Sequence, residues 1–120
     1  MSAATPRHAI VSGASSGIGE AICQRLLREG WHVTGLSRRA PSWQAPGYQH
    51  LSIDLAQTDT IPAALEGLSA DAIIHAAGMM RAAPLGALDP KVSATLWHLH
   101  VEAAERMVNT LLPRLSDGGR

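Results

Sequence analysis

The fold is decided by Ser12-Gly13-Ala14-Ser15-Ser16-Gly17-Ile18-Gly19. This stretch follows a short apolar run, residues 8–11, and leads into apolar residues at helical spacing over residues 17–29. A strand, a glycine-rich turn and a helix in this order can bind phosphate groups, because the N-terminus of a helix presents unpaired N–H groups and a partial positive charge. The glycines let the backbone turn tightly and let a pyrophosphate come close to it.

The spacing of these glycines is Gly-x-x-x-Gly-x-Gly, at Gly13, Gly17 and Gly19. The general dinucleotide fingerprint is instead Gly-x-Gly-x-x-Gly. Three glycines alone also fit a flexible surface loop, because short motifs carry false positives. Their place between a strand and a helix favours phosphate binding, and the motifs further along the chain favour it as well.

Length, charge and cysteine content exclude several classes of protein. The chain has the size of one domain at most, residues 1–120, and its formal net charge is zero. This balance offers no basic surplus for nucleic acid or an anionic membrane. The single cysteine, Cys23, cannot form an intrachain disulfide, which fits a reducing, cytoplasmic compartment. Residues 1–6 lack the apolar stretch of a secretory signal, and the weakly polar run 72–80 is too short to span a bilayer.

Strand-like and helix-like segments alternate along the chain. The pattern predicts strands over 8–12, 32–36, 48–53 and 71–77, and helices over 17–29, 58–68 and 90–112. Gly30 ends the first helix, and Thr58 or Asp59 caps the second. Two prolines and a glycine within residues 38–47 predict no helix there. The alternation predicts an α/β fold with a parallel sheet and right-handed crossovers.

The last helix is the longest predicted element. Its apolar stripe consists of Leu96, Leu99, Ala103, Met107, Val108 and Leu111. Residues at this spacing share one helix face, so we expect that face to be buried against the sheet.

Three motifs in order resemble those of the short-chain dehydrogenase/reductase family. The first is the glycine spacing that ends Gly-Ile-Gly. The second is Asp54-Leu55, similar to the family's aspartate-plus-apolar pair, in which the carboxylate contacts the adenine amino group. The third is the segment 75–78, His-Ala-Ala-Gly, similar to Asn-Asn-Ala-Gly, whose backbone passes the cofactor ribose. Asp54 also fits a turn or helix-cap residue, and His75 fits a hydrogen-bonded structural residue.

The end of the second strand indicates which nicotinamide cofactor is preferred. An acidic residue there would bind the ribose 2′-hydroxyl, whereas a nearby arginine accommodates a 2′-phosphate. The acidic position falls on Ser37, and Arg38 and Arg39 follow it. We therefore expect NADP(H) to be preferred, with NAD(H) still possible. The alternative is a pair of solvated surface arginines, and Arg39 in particular can simply face water.

The resemblance implies a Rossmann-like sheet with the strand order 3-2-1-4 and a nicotinamide dinucleotide across the carboxyl ends of the strands. The whole chain, 1–120, would be a partial NAD(P)-binding domain of an oxidoreductase that acts on a carbonyl or alcohol substrate. The implied cofactor-binding residues are Gly13, Ser15, Ser16, Gly17, Ile18 and Gly19 for the phosphates, Ser37 and Arg38 for the 2′-phosphate, Asp54 and Leu55 for the adenine, and Ala76, Ala77 and Gly78 for the nicotinamide ribose.

The family's catalytic Tyr-x-x-x-Lys is absent from this sequence. The only tyrosine, Tyr48, has Ser52 four residues later, and the only lysine is Lys91. The resemblance therefore predicts that the chain covers the first half of a family member and is inactive alone. A second hypothesis is a nucleotide-binding or sensor module without turnover.

Two further expectations concern the last helix and the edge of the sheet. Counting back from Pro113, the position of the family's catalytic asparagine falls on His100, which can instead fill a partly buried position. By resemblance this helix also pairs subunits, so a homo-oligomer is expected. Without a following strand, the fourth strand would be an exposed edge that promotes self-association.

The six histidines do not predict a metal site. His98 and His100 are two residues apart and face different directions on a helix. The sequence has no His-Glu-x-x-His motif and one cysteine. It also lacks the Gly-x-Ser-x-Gly elbow of a serine hydrolase.

Overall fold

The computed structural model describes residues 5–120. The strands are β1 (His8–Ser12), β2 (His32–Ser37), β3 (Tyr48–Ser52) and β4 (Ala72–His75). The helices are α1 (Gly17–Arg28), α2 (Ile61–Ala64), α3 (Pro90–Trp97) and α4 (Ala103–Leu111). A 3-10 turn (Thr58–Thr60) precedes α2, a π turn (His98–Glu102) joins α3 to α4, and a second 3-10 turn (Leu112–Arg114) follows α4. Across the described residues, none of the helices is both long and apolar enough to cross a membrane.

The four strands form one parallel sheet in the order β3-β2-β1-β4. The predicted strand order 3-2-1-4 and the predicted Rossmann-like α/β architecture are therefore confirmed. The central strand β1 pairs with both neighbours, with Ala9 opposite Val33 on one side and Ala72 on the other. All four carboxyl ends therefore lie at one edge of the sheet.

Alternate side chains of each strand enter two hydrophobic clusters on opposite faces of the sheet. On one face, Val11 and Val33 pack with Cys23 of α1. On the other face, Ile10 and Leu36 pack with residues of α2 and α4. This two-sided burial explains why β1 and β4 read as apolar runs.

The crossover between β2 and β3 contains no helix, as its prolines and glycine predicted. Gly30 has a φ of +88°, so the end of α1 at a left-handed glycine is also confirmed.

The second predicted helix and the fourth predicted strand are shorter in the structure. The expected helix 58–68 is a 3-10 turn followed by four α-helical residues, and neither Thr58 nor Asp59 caps it with a side chain. The Thr58 hydroxyl instead donates to Glu102 Oε1 at 2.6 Å. Strand β4 ends at His75, because the next two backbone N–H groups donate to the Ser12 hydroxyl.

The long helix predicted over 90–112 is interrupted by the π turn. Ala103, Met107 and Leu111 of the predicted stripe are fully buried, whereas Val108 is 42% exposed. Its burial was therefore wrongly predicted. Within α4, Val108 lies about 100° around the helix axis from Met107, so it falls beyond the buried face that Ala103, Met107 and Leu111 form.

The edge of β4 is partly covered, contrary to the expectation from sequence. The Ile73 N–H donates to the Arg120 carbonyl at 2.7 Å, and the Arg120 N–H donates to the Asp71 carbonyl at 3.0 Å. Ala70 and Leu115 form a parallel bridge just before. The residues after α4 therefore satisfy backbone groups of β4 that would otherwise face solvent.

Candidate functional site

A cleft of about 1010 Å³ opens at the carboxyl ends of the strands. Three segments form most of its wall: the glycine-rich turn, the residues after β2 and the residues after β3. The residues that line it are Gly13, Ser15, Ser16, Ser37, Arg38, Arg39, Ala40, Ser42, Ile53, Asp54, Leu55, Ala56, Gln57, Ala77, Gly78, Met79, Arg81, Thr95 and Leu99.

Two glycines of the turn are required by close backbone contacts. Gly13 has a φ of +73°, and a Cβ there would lie 2.7 Å from the backbone nitrogen of Ala77. A Cβ at Gly19 would overlap the carbonyl oxygen of Gly13. The turn can therefore fold back against both β4 and α1 only because these positions lack side chains.

The third glycine faces open space. Gly17 has a φ of +57°, and no heavy atom would lie within 4 Å of a Cβ at this position. Ser16, the N-cap of α1, is extended and makes no capping bond with its hydroxyl. The N-terminus of α1 thus offers unpaired N–H groups beside an unfilled space, an arrangement that fits a phosphate group.

The buried Ser12 and the half-buried His75 tie the turn to β4. The Ser12 Oγ accepts from the N–H groups of Ala76 and Ala77, at 3.0 and 3.1 Å. Its own proton then goes to His75 Nδ1 at 2.7 Å, which leaves Nε2–H to donate to the Leu99 carbonyl at 3.0 Å. Burial lowers the pKa of His75, which favours this neutral form. His75 is thus a hydrogen-bonded structural residue, as one interpretation of the sequence expected.

His100 contacts the segment that follows β4. Its Nε2 lies 2.8 Å from the Met79 carbonyl oxygen, and a Cβ at Gly78 would lie 2.6 Å from its ring. His100 is exposed, so the expectation that it fills a partly buried position is wrong. Its place in the π turn brings the ring against the backbone of residues 78–79.

The two arginines after β2 both line the cleft. The hydroxyl of Ser37 donates to the Arg39 carbonyl at 2.6 Å, so it shapes the turn that carries them. Both arginines are exposed, so the alternative that Arg39 simply faces water stays open. Two guanidinium groups at one end of the cleft, with no carboxylate at position 37, favour an anionic ligand there.

Asp54 and Leu55 both line the cleft but have different surroundings. The Asp54 Oδ1 accepts from the Ala56 N–H at 3.0 Å, and the residue is exposed. Leu55 is only 4% exposed and belongs to the core. Asp54 is therefore both a turn residue and a wall of the cleft, so the two interpretations of its role are compatible.

Four of the proposed cofactor residues do not line the cleft wall: Gly17, Ile18, Gly19 and Ala76. The Ile18 side chain is 75% exposed, and Gly19 is buried beneath the turn. Conversely, Gln57, Met79, Arg81, Thr95 and Leu99 line the cleft although the sequence analysis did not assign them to the cofactor site. They come from loops, from α3 and from the π turn, where no local motif marks a ligand contact.

Over residues 5–120 no group of three or more histidine, cysteine, aspartate or glutamate side chains could hold a metal ion. His98 and His100 have separate partners, since His98 Nδ1 lies 2.7 Å from Glu102 Oε2 and His100 contacts Met79.

A family model described as short chain dehydrogenase matches residues 7–120. The chain belongs to the short-chain dehydrogenase family. Serine 3-dehydrogenase from Rhizobium radiobacter is 28% identical over 118 residues, which cover 88% of this chain and 47% of that protein. The chain thus spans about half the length of the curated relatives it first matches.

Solved structures agree with this fold. L-sorbose reductase from Gluconobacter frateurii, complexed with NADPH and L-sorbose, has a TM-score of 0.80 at 22% identity and covers 92% of this chain and 48% of its own. A 4-hydroxyisoleucine dehydrogenase complexed with NADH has a TM-score of 0.80 at 26% identity, covering 90% and 49%. One of these two structural neighbours is thus complexed with NADPH and the other with NADH.

Proposed function

We propose that this chain is the cofactor-binding part of an NADP(H)-dependent oxidoreductase that acts on a carbonyl or alcohol substrate. The observation that carries the proposal is the position of Arg38 and Arg39 on the cleft wall, beside Ser37 rather than an acidic residue. Membership of the family and neighbours complexed with nicotinamide cofactors support the coarser part, dinucleotide binding.

The pyrophosphate would lie at the N-terminus of α1. Backbone N–H groups of Gly17, Ile18 and Gly19 are at the start of this helix, and the hydroxyls of Ser15 and Ser16 stand beside them. The open space around Gly17 leaves room for the phosphates, and the helix dipole favours their charge.

The two ends of the cofactor would contact different walls of the cleft. Arg38 would pair with the 2′-phosphate through its planar fork of donors, with Arg39 as a second cation and Ser37 shaping the turn. Asp54 and Leu55 would frame the adenine. Ala76, Ala77 and Gly78 would line the nicotinamide ribose, where their small size lets the ribose approach the backbone.

The bound nicotinamide would supply or accept the hydride. The residues of this chain would orient the nicotinamide. The Ser12 hydroxyl accepts from the N–H groups of Ala76 and Ala77, and it thereby fixes the backbone along which the nicotinamide ribose would lie. Tyr48, the only tyrosine, donates to His50 beneath residues 38–47 and does not line the cleft. We therefore expect residues 1–120 alone to bind cofactor without turnover, which also fits the second candidate, a non-catalytic binding module.

Direct titration of the chain with NADPH and NADH tests this proposal. We expect saturable binding of both, with tighter binding of NADPH. Substituting Arg38→Leu should weaken NADPH binding about tenfold to a hundredfold, because charge-assisted hydrogen bonds are worth about 1.5–3 kcal/mol. The same substitution should leave NADH binding nearly unchanged.

Lys91→Leu serves as the control, because it removes a cation from α3 that does not line the cleft. Absence of saturable binding would overturn the nucleotide site itself. Equal losses of affinity for NADPH and NADH in Arg38→Leu would overturn only the role of Arg38 at the 2′-phosphate. Turnover by residues 1–120 would contradict the proposal that this part of the enzyme binds cofactor without catalysis.

We also propose that a second copy of the chain packs on the exposed stripe of the long helical region. Trp97, Val101, Val108 and Leu112 are 42–63% exposed and recur at spacings of four, seven and four. Sedimentation should show a dimer that Val101→Glu weakens and Asn109→Glu, a neighbouring exposed position, does not. A wild-type chain that stays monomeric throughout the micromolar concentration range would contradict this dimer.

A further inference from the structure

We propose that Tyr48 and His50 are positioning residues that set the preference for a 2′-phosphate, because they hold the backbone from which Arg38 projects. This inference rests on the NADP(H) binding proposed above. Neither residue lines the cleft, so they would act through Ser37.

Two hydrogen bonds connect β3 to the end of β2. His50 Nε2 lies 3.2 Å from the Ser37 carbonyl oxygen, and the Tyr48 hydroxyl lies 2.9 Å from His50 Nδ1. A carbonyl oxygen can only accept, so Nε2 must carry the proton. Nδ1 then accepts from the hydroxyl of Tyr48. Burial, and to a lesser extent Cys23, raises the pKa of Tyr48 to about 12, so this hydroxyl keeps its proton.

The backbone on both sides of Arg38 is held in this way. The Ser37 carbonyl accepts from His50 and also from the Ile53 N–H at 3.0 Å, which uses both of its lone pairs. The Ser37 hydroxyl donates to the Arg39 carbonyl at 2.6 Å. The peptide group before Arg38 and the one after Arg39 are therefore oriented, which limits the directions in which the Arg38 side chain can leave the backbone.

The Tyr48 side chain fits a narrow space that exists because residue 35 is a glycine. A Cβ at Gly35 would overlap the Tyr48 hydroxyl and would lie 2.6 Å from the Cβ of Ala14 in the glycine-rich turn. The Trp43 ring packs on Tyr48 at a centroid distance of 4.8 Å and an angle of 59°. Tyr48 is thus wedged between β2, the glycine-rich turn and the segment after β2.

Packing alone does not hold this segment, because no helix covers it. A cavity of about 260 Å³, lined in part by Trp43, Tyr48 and His50, remains beneath residues 40–45. Incomplete packing makes the side-chain hydrogen bond from His50 a needed addition to the backbone pairing that already joins Ser37 to β3 and Ile53. These two side chains therefore do part of what a crossover helix would do.

The test compares the dissociation constants of NADP⁺ and NAD⁺ for the chain and four variants. His50→Leu removes both hydrogen bonds and should lower the preference for NADP⁺ about tenfold, and Tyr48→Phe should lower it about threefold. His50→Gln keeps a donor for the Ser37 carbonyl and should retain most of the preference. Gln49→Leu, an exposed neighbour on the same strand, is the control.

The affinity for NAD⁺ separates positioning from a general structural role. We expect it to stay within about twofold of wild type in all four variants, because NAD⁺ has no 2′-phosphate. An unchanged preference in both His50→Leu and Tyr48→Phe would overturn the inference, and so would a parallel loss for both dinucleotides. If the wild type binds NADP⁺ and NAD⁺ equally, the proposed cofactor choice fails, and this inference fails with it.

Discussion

Residues 12–19 and residues 38–47 face the same cleft but are held in place by different means. The glycine-rich turn is shaped by its own backbone, since Gly13 is left-handed and Gly19 packs directly beneath it. The segment after β2 depends on side chains of another strand, Tyr48 and His50. A site built from backbone geometry leaves a mark in the local sequence, whereas one held by side chains from elsewhere does not.

The largest test of this comparison removes a glycine from the turn. Gly13→Ala combines an unfavourable φ with a Cβ 2.7 Å from the Ala77 nitrogen. We expect it to reduce the free energy of unfolding by about 3 kcal/mol and to abolish measurable cofactor binding. Urea unfolding and NADPH titration measure the two effects.

Gly17→Ala is the matched control for that substitution. It also has a positive φ, but a Cβ there meets no atom within 4 Å. Its cost in unfolding free energy should be only about 1 kcal/mol, the price of the backbone conformation. Equal costs at the two positions would contradict the importance of the close contact with β4.

A smaller effect is expected from the side chains that support the turn, and it depends on pH. The pKa of His75 is lowered by burial, so the folded state favours its neutral form. The unfolded state then binds more protons once the pH falls below the ordinary value of 6.5, and the free energy of unfolding decreases as the pH falls further. Protonation would also remove the acceptor of the Ser12 hydroxyl.

Urea unfolding of the wild type and of His75→Asn between pH 7.5 and 5 measures this dependence. The variant cannot titrate in this range, so its stability should depend less on pH. Asp71 and Glu102 also have lowered pKa values, but their contributions decline only below the ordinary values of 3.8 and 4.5. Identical slopes for the two proteins would contradict the role of His75.

The smallest expected effects are those of Tyr48→Phe and His50→Leu on cofactor preference, because each removes hydrogen bonds that are neutral and partly exposed. These two variants test the segment after β2, whereas the glycine substitutions test the glycine-rich turn. If they change only the NADP⁺ to NAD⁺ ratio, residues 38–47 are positioned by β3 and the glycine-rich turn is not.

Most of the fold was predictable because its signals are local. The strands β1, β2 and β3 and helix α1 lie within a residue or two of the predicted bounds, and the missing crossover helix follows from Pro41, Pro46 and Gly47. The errors have tertiary causes. Thr58 bonds to Glu102 rather than capping α2, and α4 packs through Ala103, Met107 and Leu111, which leaves Val108 exposed.

The cleft was predictable only in part. Gly13, Ser16, Arg38 and Asp54 carry recognisable spacing relative to the strands, and all four line it. Met79, Arg81 and Thr95 line the same cleft but belong to no recognisable motif. Their positions depend on how the chain packs, so no pattern of neighbouring residues predicts them.

The sequence by itself determined the order of strands and helices, the turn at Gly13 to Gly19 and the cationic pair after β2, because each follows from residue types within a few positions. The tertiary structure alone decided that Ser12 bonds to His75 and that His50 holds Ser37. These partners lie 63 and 13 residues apart. Only the parallel sheet brings them to the same edge, where hydrogen bonds need distances near 3 Å.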